Sequence, residues 1–174
     1  MREINSELKQ RFKRIRLLIL DVDGVLTDNS LFISDDGTEA KKFNVSDGMG
    51  IYLAKKAGIE VAFISGRKSK ATQLRAQELG IKHAFLDANQ KSGPYAKIKE
   101  ELKIEDQEVA YLGDDLLDVP VLKKVGLPIA VNNSNPVAKK YAAYITQANG
   151  GDGAVREVID LILENKGINP EDFL

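Results

Sequence analysis

The sequence predicts an α/β fold built on a doubly wound parallel sheet. The first observation is that five short apolar runs alternate with stretches of helical pattern through most of the chain. The second is that 43% of the 174 residues are hydrophobic, enough to bury a core at this length without disulfides. Strands that alternate with helices in this way are typical of a parallel sheet covered by helices on both faces. No linker, repeat or block of like charge divides the chain, so we predict one domain over residues 1–174.

The predicted strands are apolar runs that are too short to be helices and are bounded by turn-forming residues: 17–20, 61–64, 83–86, 109–112 and 128–131. The predicted helices lie near 47–57, 68–79, 93–103, 115–124, 135–141 and 153–166. Several of them end at a glycine, as expected for a left-handed C-terminal residue: Gly58, Gly80, Gly126 and Gly167. A short amphipathic helix is predicted before the first strand, because Leu8, Phe12 and Ile15 share one helical face.

Residues 29–43 interrupt the alternation and predict a protruding β-hairpin. Its turn signal is Asp35-Asp36-Gly37, between two runs of strand pattern. The hairpin follows the first strand's loop on the carboxyl-end side of the sheet, where ligands bind in open α/β sheets. Only 41 residues separate Asp23 from Ser65, and 25 separate Ser65 from Lys91, so neither interval has room for an inserted cap domain.

Charge and composition exclude several classes of protein. Lys and Arg number 25 and Asp and Glu 26, so the net charge of −1 gives no field that would attract nucleic acid. The chain has no cysteine, which excludes a disulfide framework, cysteine-bound zinc and a cysteine nucleophile. The basic residues near the N-terminus precede an apolar run that is too short for a signal peptide or a membrane span. We therefore predict an unprocessed cytoplasmic protein that binds neither nucleic acid nor membrane.

Polar side chains follow four of the predicted strands, at the edge of the sheet where ligands bind. In chain order they are Asp21 and Asp23, then Ser65, then Lys91, then Asp114, Asp115 and Asp118. Carboxylates this close together repel one another unless a cation lies between them. Oxygen ligands without Cys or a cluster of His favour Mg²⁺, and a hydroxyl and an ammonium nearby suit phosphate oxygens.

The residues that the chain lacks narrow the choice of nucleophile if the reaction is phosphoryl transfer. The sequence contains no Cys, a single His and no G-x-x-x-x-G-K-[ST] motif. A carboxylate that passes through an aspartyl-phosphate is the route that remains. That route needs a cation beside the carboxylate and an acid for the leaving oxygen, which the second Asp of the pair can supply.

Four segments in this order resemble the motifs of the haloacid dehalogenase superfamily of phosphotransferases: Asp21-Val-Asp23-Gly-Val-Leu-Thr-Asp28, Ser65, Lys91 and Gly113-Asp114-Asp115-Leu-Leu-Asp118. The resemblance spans nearly the whole chain and implies a Rossmann-like fold. Further segments are similar to the subfamily that hydrolyses 3-deoxy-D-manno-octulosonate 8-phosphate (KDO 8-phosphate): Asn44-Val-Ser-Asp47-Gly48, Ile64-Ser-Gly-Arg67, Tyr111-Leu-Gly-Asp114-Asp115 and Gly150-Gly-Asp-Gly-Ala-Val-Arg156-Glu157. The resemblance therefore implies an Mg²⁺-dependent phosphatase that acts on KDO 8-phosphate in lipopolysaccharide precursor synthesis.

The resemblance also implies a role for each matched position. The metal ligands are Asp21, the backbone carbonyl of Asp23, and Asp114. Asp21 matches the nucleophile and Asp23 the general acid and base, while Ser65 and Lys91 match the residues that hold the phosphoryl group. Asp115 and Asp118 have supporting roles. The positions that match substrate contacts, besides Asp23 and Lys91, are Asn44, Val45, Ser46, Asp47, Gly48, Tyr52, Arg67 and Arg75.

Some of these residues have simpler explanations. Arg75 is in mid-helix, where arginine is more often solvated, and Tyr52 also fits a packing role. We interpret 150–153 as a mobile loop, and Arg156 either as a contact for an anionic substrate or as the partner of a surface acid. Two other functions stay open: a phosphatase of another nonulosonic or sugar acid phosphate, and a non-catalytic phosphatase-like regulatory domain.

The composition of the hairpin predicts a homo-oligomer. Leu31, Phe32, Ile33 and Phe43 are apolar residues that an isolated two-stranded ribbon cannot bury. Because the chain has no cap domain, something else must shield the site from water. We therefore predict an oligomer, most simply a tetramer, in which the hairpin helps to close a neighbour's active site.

Overall fold

The computed structural model describes residues 4–173. The strands are β1 (Leu17–Leu20), β2 (Phe32–Ile33), β3 (Glu39–Ala40), β4 (Glu60–Ile64), β5 (His83–Phe85), β6 (Val109–Gly113), β7 (Leu127–Ala130) and β8 (Tyr144–Ile145). The helices are α1 (Ser6–Arg14), α2 (Val45–Lys56), α3 (Lys70–Glu78), α4 (Ser92–Leu102), α5 (Val119–Leu122), α6 (Pro136–Lys139) and α7 (Ala154–Lys166). Within the part of the chain described, no helix combines the length and apolar character that crossing a bilayer requires.

Six strands form one parallel sheet in the order β5-β4-β1-β6-β7-β8, which confirms the predicted fold class. The chain leaves β1 toward one edge of the sheet and leaves β6 toward the other. The two strands lie side by side, with Leu17 opposite Val109 and Leu20 opposite Leu112. Their carboxyl ends therefore flank the switch point of a doubly wound sheet, where ligands bind in this architecture.

Strand β1 shows why the sheet needs helices on both faces. Leu18 and Leu20 belong to the apolar core that α1, α2 and α7 also line. Leu17 and Ile19 point to the opposite face and pack in a second core with α4 and α5. All four side chains are fully buried, because alternate residues of a strand point to opposite sides of the sheet.

The structure differs from the predicted elements at three points. The strand β8 was missed, since two residues carry too little pattern to predict it. The helix predicted over 115–124 divides into a 3-10 turn, Leu116–Asp118, followed by the short helix α5. The prediction for Gly126 was wrong, because its backbone is not left-handed. A Cβ there would lie 2.6 Å from Gln107 Cα, so this glycine permits a close approach of two chain segments.

The hairpin forms where it was predicted, but its strands are only two residues long. Phe32 pairs with Ala40 and Ile33 with Glu39 in an antiparallel sheet separate from the main one. At the turn, Gly37 has φ +80°, the left-handed conformation that the Asp-Gly signal predicts. Phe32 and Ile33 are 59% and 69% exposed. These two side chains therefore lie largely outside the core, whereas Phe43 is half-buried and packs against it, contrary to the prediction.

Candidate active site

Carboxylates from two neighbouring strands meet at the switch point. Asp21 directly follows β1 and Asp114 directly follows β6. Asp118 is the last residue of the 3-10 turn Leu116–Asp118. One carboxylate oxygen from each of these three residues lies within 4.8 Å of the others. The acidic residues that the sequence placed at separate strand ends thus form one cluster, which we call the carboxylate cluster.

Asp21 is held in one orientation by its own loop and by Lys91. Its side chain is buried, and Oδ1 accepts hydrogen bonds from the backbone N–H of Val22 at 2.7 Å and from Lys91 Nζ at 2.8 Å. The backbone N–H of Asp21 donates to the carbonyl of Leu112 on β6 at 3.0 Å. This backbone hydrogen bond therefore ties Asp21 to β6, the strand that Asp114 directly follows.

Lys91 lies between two carboxylates and is itself buried. The residue immediately precedes α4, and its Nζ is 2.8 Å from Asp21 Oδ1 and 2.6 Å from Asp118 Oδ1. Burial by itself lowers the pKa of Lys91, but attraction to the two carboxylates outweighs it and raises the pKa above its usual value. Lys91 is therefore a fixed positive charge beside Asp21 at neutral pH.

Asp118 is fully buried, and both of its oxygens are occupied. Oδ1 accepts from Lys91 Nζ and from Tyr111 Oη, the latter at 2.5 Å. Oδ2 accepts from the backbone N–H groups of Asp114 and Asp115, at 2.9 and 3.1 Å. Asp118 thus orients Lys91 and the loop that carries Asp114, which fits a supporting role. Asp115 is exposed, and its Oδ1 caps the turn by accepting from the backbone N–H of Leu116.

The charges of the carboxylate cluster are unfavourable without a cation. Burial, followed by repulsion from Asp118, raises the pKa of Asp21 to about 6. Burial, followed by repulsion from Asp21 and Asp118, raises the pKa of Asp114 to about 8. A divalent cation would remove both effects, because it favours the charged form of each group. The donors are carboxylate oxygens, so the residues present fit a hard cation of the Mg²⁺ class.

Gly24 allows Asp114 to approach the loop after β1. Its φ is +87°, and a Cβ in this position would lie 2.1 Å from Asp114 Oδ2. Any side chain here would therefore displace the carboxylate as well as strain the backbone. The glycine in the Asp21-Val-Asp23-Gly24 segment is needed for the geometry of the carboxylate cluster.

Asp23 lies outside the carboxylate cluster and contacts the hairpin. Its Oδ1 is 2.5 Å from Lys41 Nζ, and the side chain of Lys41 is fully buried. Glu39, on the same face of the hairpin, accepts from Arg67 Nη2 and Ser69 Oγ, each at 2.7 Å. Lys41 Nζ is also 3.7 Å from Glu39 Oε1. Two charged residues of the hairpin thus connect Asp23 to the segment after β4.

Ser65 lies at the carboxyl end of β4, as predicted, and is almost completely buried. Its backbone N–H donates to Phe85 and its carbonyl accepts from Ala88, both at 2.9 Å. Its Oγ accepts from the backbone N–H of Arg67 at 3.2 Å. The hydroxyl is therefore fixed by the main chain at the same edge of the sheet as Asp21.

The segment that resembles a substrate-contact motif forms the start of α2. Asn44 caps the helix, and its Oδ1 accepts from the backbone N–H of Ser46 at 2.7 Å. Arg75 reaches this segment from α3 and donates to the Asn44 carbonyl at 3.3 Å. A Cβ on Gly48 would lie 2.4 Å from Arg75 Nη2, so the glycine makes room for the guanidinium. The structure therefore joins Arg75 to the segment 44–48, although the two are far apart in sequence.

Asp47 has a different position from the one expected of a substrate contact. Its side chain is buried, and Oδ1 accepts from the backbone N–H of Arg156 at 2.8 Å, in the first turn of α7. A carboxylate at a helix N-terminus is stabilising, although burial raises the pKa of Asp47. Asp47 thus joins α2 to α7 through Oδ1, while its Oδ2 is buried with no hydrogen-bond partner among the described residues, and its role as a substrate contact stays a prediction.

Tyr52 lies on the outer face of α2. Its ring is 46% exposed, with Lys56 Nζ 5.4 Å from the ring centroid. Val45 and Met49 on the same helix are 82% and 48% exposed. These three side chains form an apolar surface on the helix that carries the motif 44–48.

The loop predicted to be mobile is packed against the loop after β1. Gly150 and Gly151 are buried, and the N–H of Gly151 donates to the Val25 carbonyl at 2.9 Å. A Cβ on Gly150 would lie 1.7 Å from the Gly24 carbonyl oxygen, so the prediction of a mobile loop is corrected. Arg156 Nε donates to Asp160 Oδ1 at 2.8 Å, so Arg156 is the partner of an acidic residue, the simpler of the two interpretations given above.

Sequence reasoning missed Lys41, Glu39 and Tyr111. Glu39 and Lys41 are two residues apart in a strand pattern, which puts both on one face of the hairpin. That spacing was the available signal that they act together. Tyr111 is in a continuous apolar run, and a buried tyrosine hydroxyl needs a partner. The acidic residues that follow this run were the candidates, and the structure identifies Asp118.

Comparisons with known proteins find related sequences over almost the whole chain. A family model described as haloacid dehalogenase-like hydrolase matches residues 88–159. The KDO 8-phosphate phosphatase KdsC of Escherichia coli strain K12 is 45% identical over 164 residues, which cover 94% of this chain and 87% of that protein. The KdsC phosphatase of Yersinia pestis is 44% identical over 160 residues, which cover 92% and 86%.

Solved structures show the same fold. The crystal structure of the phosphatase from Yersinia pestis has a TM-score of 0.93 at 43% identity and covers 94% of this chain and 89% of that one. The phosphatase from Moraxella catarrhalis, solved with a magnesium ion, a phosphate ion and KDO, has a TM-score of 0.93 at 39% identity and covers 98% and 97%. With this degree of identity over almost the whole chain, the protein belongs to the KDO 8-phosphate phosphatase family of haloacid dehalogenase-like hydrolases.

Proposed function

We propose that the protein hydrolyses KDO 8-phosphate to KDO and inorganic phosphate, in the synthesis of lipopolysaccharide precursors. One observation carries the proposal. A buried carboxylate cluster, with Lys91 bound to Asp21, lies at the switch point of a chain that is 45% identical to phosphatases of this name. Buried like charges with a cationic partner in a cleft are typical of catalytic sites.

In the first step, a carboxylate oxygen of Asp21 attacks the phosphorus atom of the monoester. A bond forms between that oxygen and phosphorus, and the bond between phosphorus and the sugar oxygen breaks. The leaving oxygen takes its proton from the carboxyl group of Asp23, which becomes a carboxylate. Lys91 and the Ser65 hydroxyl stabilise the phosphoryl oxygens, which suits one buried ammonium and one hydroxyl fixed at the same edge.

In the second step, a water molecule attacks the phosphorus of the aspartyl-phosphate. Its proton passes to the Asp23 carboxylate, and the bond between Asp21 and phosphorus breaks. Phosphate leaves, Asp21 is again a carboxylate, and Asp23 is again protonated for the next cycle. The same residue is thus the acid in one step and the base in the other.

The cofactor in this proposal is Mg²⁺, held by Asp21, the backbone carbonyl of Asp23, and Asp114. When bound, it neutralises charge on the phosphoryl oxygens and on the attacking carboxylate. The raised pKa values of Asp21 and Asp114 support this assignment, because both groups gain from a neighbouring positive charge. Asp118 is not assigned as a ligand, since four hydrogen-bond donors occupy its oxygens.

We infer that the sugar is bound by the segment at the start of α2 and by two arginines. The main support is that Arg75 contacts the Asn44 carbonyl and Gly48, so cationic and polar groups converge there. Arginine suits an anionic sugar acid because its planar guanidinium binds carboxylates with two hydrogen bonds. The proposed contacts, besides Asp23 and Lys91, are Asn44, Val45, Ser46, Asp47, Gly48, Tyr52, Arg67 and Arg75.

We also propose that the protein is a homotetramer in which hairpins cover neighbouring sites. The exposed apolar side chains of the hairpin and of α2 support this proposal: Phe32, Ile33, Val45, Met49 and Tyr52. Surfaces of this kind usually contact another chain. A closed symmetric assembly would bury the same surface on every protomer.

The substrate is tested with the purified protein, Mg²⁺ and three esters: KDO 8-phosphate, a nonulosonic acid 9-phosphate and p-nitrophenyl phosphate. We expect kcat/KM for KDO 8-phosphate to exceed that for each of the others by at least about tenfold, because specific polar contacts are lost with them. The variant Asp21→Asn corrects for contaminating phosphatases. A higher value for the 9-phosphate would assign the enzyme to that substrate, and no turnover of any ester would indicate a non-catalytic domain.

A further inference from the structure

Lys41 is a buried lysine that lies outside the motifs assigned above. Its side chain is fully buried, although it belongs to a hairpin whose neighbouring residues are exposed. Burial of an ammonium group is costly unless the charge is paired and hydrogen-bonded. Lys41 meets this condition with Asp23 Oδ1 at 2.5 Å, Thr72 Oγ1 at 3.4 Å and Glu39 Oε1 at 3.7 Å.

The two oxygens of Asp23 have different surroundings. Oδ1 is bound to Lys41, whereas Oδ2 is buried and has no hydrogen-bond partner within residues 4–173. A buried carboxylate oxygen that lacks a donor is rare unless a ligand or a reacting group occupies the space beside it. Because Lys41 occupies Oδ1, Oδ2 is the oxygen of Asp23 that is left without a donor in the described part of the chain.

We propose that Lys41 is a positioning residue, which holds Oδ1 of Asp23 so that Oδ2 is the atom that transfers the proton. The inference rests on the proposed function, in which Asp23 is the general acid and base. In the first step the proton leaves Oδ2 for the sugar oxygen as the bond between that oxygen and phosphorus breaks. In the second step the proton of the attacking water returns to Oδ2. Lys41 keeps all of its protons throughout.

Lys41 can act in this way because its own position is fixed. Glu39 lies beside it and is held by Arg67 Nη2 and Ser69 Oγ, each at 2.7 Å. Thr72 holds the ammonium from α3. The inner face of the hairpin is thus built into the active site of its own chain. General acids need this kind of support, since proton transfer depends on a hydrogen-bond distance to the reacting oxygen.

The leaving group distinguishes this role from a purely structural one. A sugar alkoxide is a strong base and needs a proton as it leaves, whereas p-nitrophenolate is a weak base and leaves without one. The ratio kcat/KM covers only the steps up to the release of the alcohol or phenol. Loss of a correctly oriented acid therefore lowers kcat/KM for an alkyl ester more than for an aryl ester. A general disturbance of the site lowers both equally.

The test compares Lys41→Met with the wild type on KDO 8-phosphate and on p-nitrophenyl phosphate. General acid catalysis contributes about 10²–10⁴-fold to the rate. We therefore expect kcat/KM to fall by at least about tenfold more for KDO 8-phosphate, the alkyl ester, than for p-nitrophenyl phosphate, the aryl ester. Lys41→Arg should restore most of the difference, because it retains a cationic donor. Lys42→Met is the matched control, since Lys42 is exposed and pairs with Asp28 at 3.5 Å, and both of its rates should be unchanged. If Lys41→Met does not fold, Lys41→Gln is measured instead. We then expect kcat/KM again to fall more for the alkyl ester than for the aryl ester, but by a smaller factor.

The variant Asp23→Asn separates failure of this inference from failure of the proposed function. It should show the same selective loss on the alkyl ester, and adding Lys41→Met should then change the selectivity no further. If Asp23→Asn lowers both rates equally, the general acid role of the proposed function is wrong. If Asp23→Asn is selective and Lys41→Met lowers both rates equally, the positioning role of Lys41 is overturned.

Discussion

The carboxylate cluster and the hairpin lie at the same edge of the sheet, yet their side chains are satisfied in different ways. In the cluster, Asp118 accepts four hydrogen bonds, and Lys91 is shared between two acids. In the hairpin, Lys41 is buried against Asp23, while Phe32 and Ile33 have more than half of their surface exposed. Asp118 and Lys91 are thus paired within a single chain, whereas Phe32 and Ile33 stay exposed in it.

This difference shows where each part of the function is encoded. The cluster lies on the loops that directly follow β1 and β6, two neighbouring strands of the six-stranded sheet, so the main-chain hydrogen bonds of the sheet determine its geometry. The hairpin has strands of two residues, which are too short to be stable without further contacts. We therefore expect chemistry at phosphorus to depend on the cluster alone, and affinity for the sugar to depend also on what covers the hairpin.

The first prediction breaks the cluster at its nucleophile. Asp21→Asn keeps the shape of the side chain but removes its charge, and we expect kcat to fall by about 10⁴-fold or more for every substrate. The measurement is steady-state hydrolysis of KDO 8-phosphate and p-nitrophenyl phosphate, with circular dichroism as a check of the fold. Asp28→Asn, in the same loop, is the control, and its kcat should stay within about twofold of the wild-type value, as for a typical surface substitution. Near-normal turnover of Asp21→Asn would exclude an aspartyl-phosphate.

The second prediction concerns the stability of the metal-free protein. A carboxyl group whose pKa is higher in the folded than in the unfolded state binds protons on folding, so its contribution to stability is lost as pH rises through the folded pKa. This window extends from the ordinary value of 3.8 to about 6 for Asp21 and to about 8 for Asp114. With chelator present, we expect the free energy of unfolding to fall between pH 5.5 and 8.5 by on the order of a few kcal/mol, or roughly 5–10 °C in Tm.

Thermal unfolding with and without Mg²⁺ checks this prediction. Mg²⁺ should restore stability at pH 8.5, because it binds the folded chain. Asp114→Asn should flatten the dependence on pH in chelator and abolish the stabilisation by Mg²⁺. A metal-free protein that becomes more stable as pH rises over this range would show that the two acids are not strained by burial and repulsion.

Much of the sheet and of the carboxylate cluster is predictable from sequence, for a definite physical reason. A run such as 17–20 has apolar residues at every position and is too short for a helix, which is typical of a strand buried on both faces. Carboxyl ends of parallel strands share one edge, so Asp21 and Asp114 had to come together once both strands were recognised. The order of the motifs then places Ser65 and Lys91 at the same edge.

The contacts that were missed depend on packing that no local pattern contains. A lysine that follows a two-residue strand usually points to solvent, and Lys41 is buried because α3 and the loop after β1 close over it. Asp47 looked accessible in its motif, but the first turn of α7 covers it from more than a hundred residues away in sequence. The outward exposure of Ile33, by contrast, followed directly from the inability of a lone ribbon to bury apolar residues.

The third prediction changes the exposed apolar residues of the hairpin. Replacing Phe32 and Ile33 together by serine removes this apolar surface and keeps Lys41 and Glu39, although Ile33 is the residue paired with Glu39. We expect smaller assemblies by light scattering and an increase in KM for KDO 8-phosphate of about tenfold, equivalent to about 1.4 kcal/mol of binding free energy. Hydrolysis of p-nitrophenyl phosphate should change little, because the cluster is intact. Tyr141→Ser removes an exposed aromatic ring on another part of the surface and serves as the control. A wild-type protein that is monomeric and fully active on the sugar phosphate would contradict the proposal that hairpins cover the sites of neighbouring protomers.

The smallest effect is expected at Gly37, in the turn of the hairpin. Gly37 and Gly24 both have left-handed backbones, with φ of +80° and +87°. A Cβ on Gly37 would meet no atom within 4 Å, whereas a Cβ on Gly24 would lie 2.1 Å from Asp114 Oδ2. Gly37→Ala therefore adds only the backbone cost, which is about 1 kcal/mol. We expect a decrease in Tm of roughly 2–4 °C or less and no loss of kcat.

Gly24→Ala adds the same backbone cost and also displaces a proposed ligand of Mg²⁺. It should therefore weaken Mg²⁺ binding, measured by titration calorimetry, while Gly37→Ala leaves that affinity unchanged. Because the two substitutions share residue type and backbone conformation, the difference between them reports the surroundings alone. If both variants weakened Mg²⁺ binding equally, the geometry of the carboxylate cluster would depend on the conformation of the hairpin turn. A selective effect of Gly24→Ala would show that the cluster keeps its geometry whatever the tip of the hairpin does.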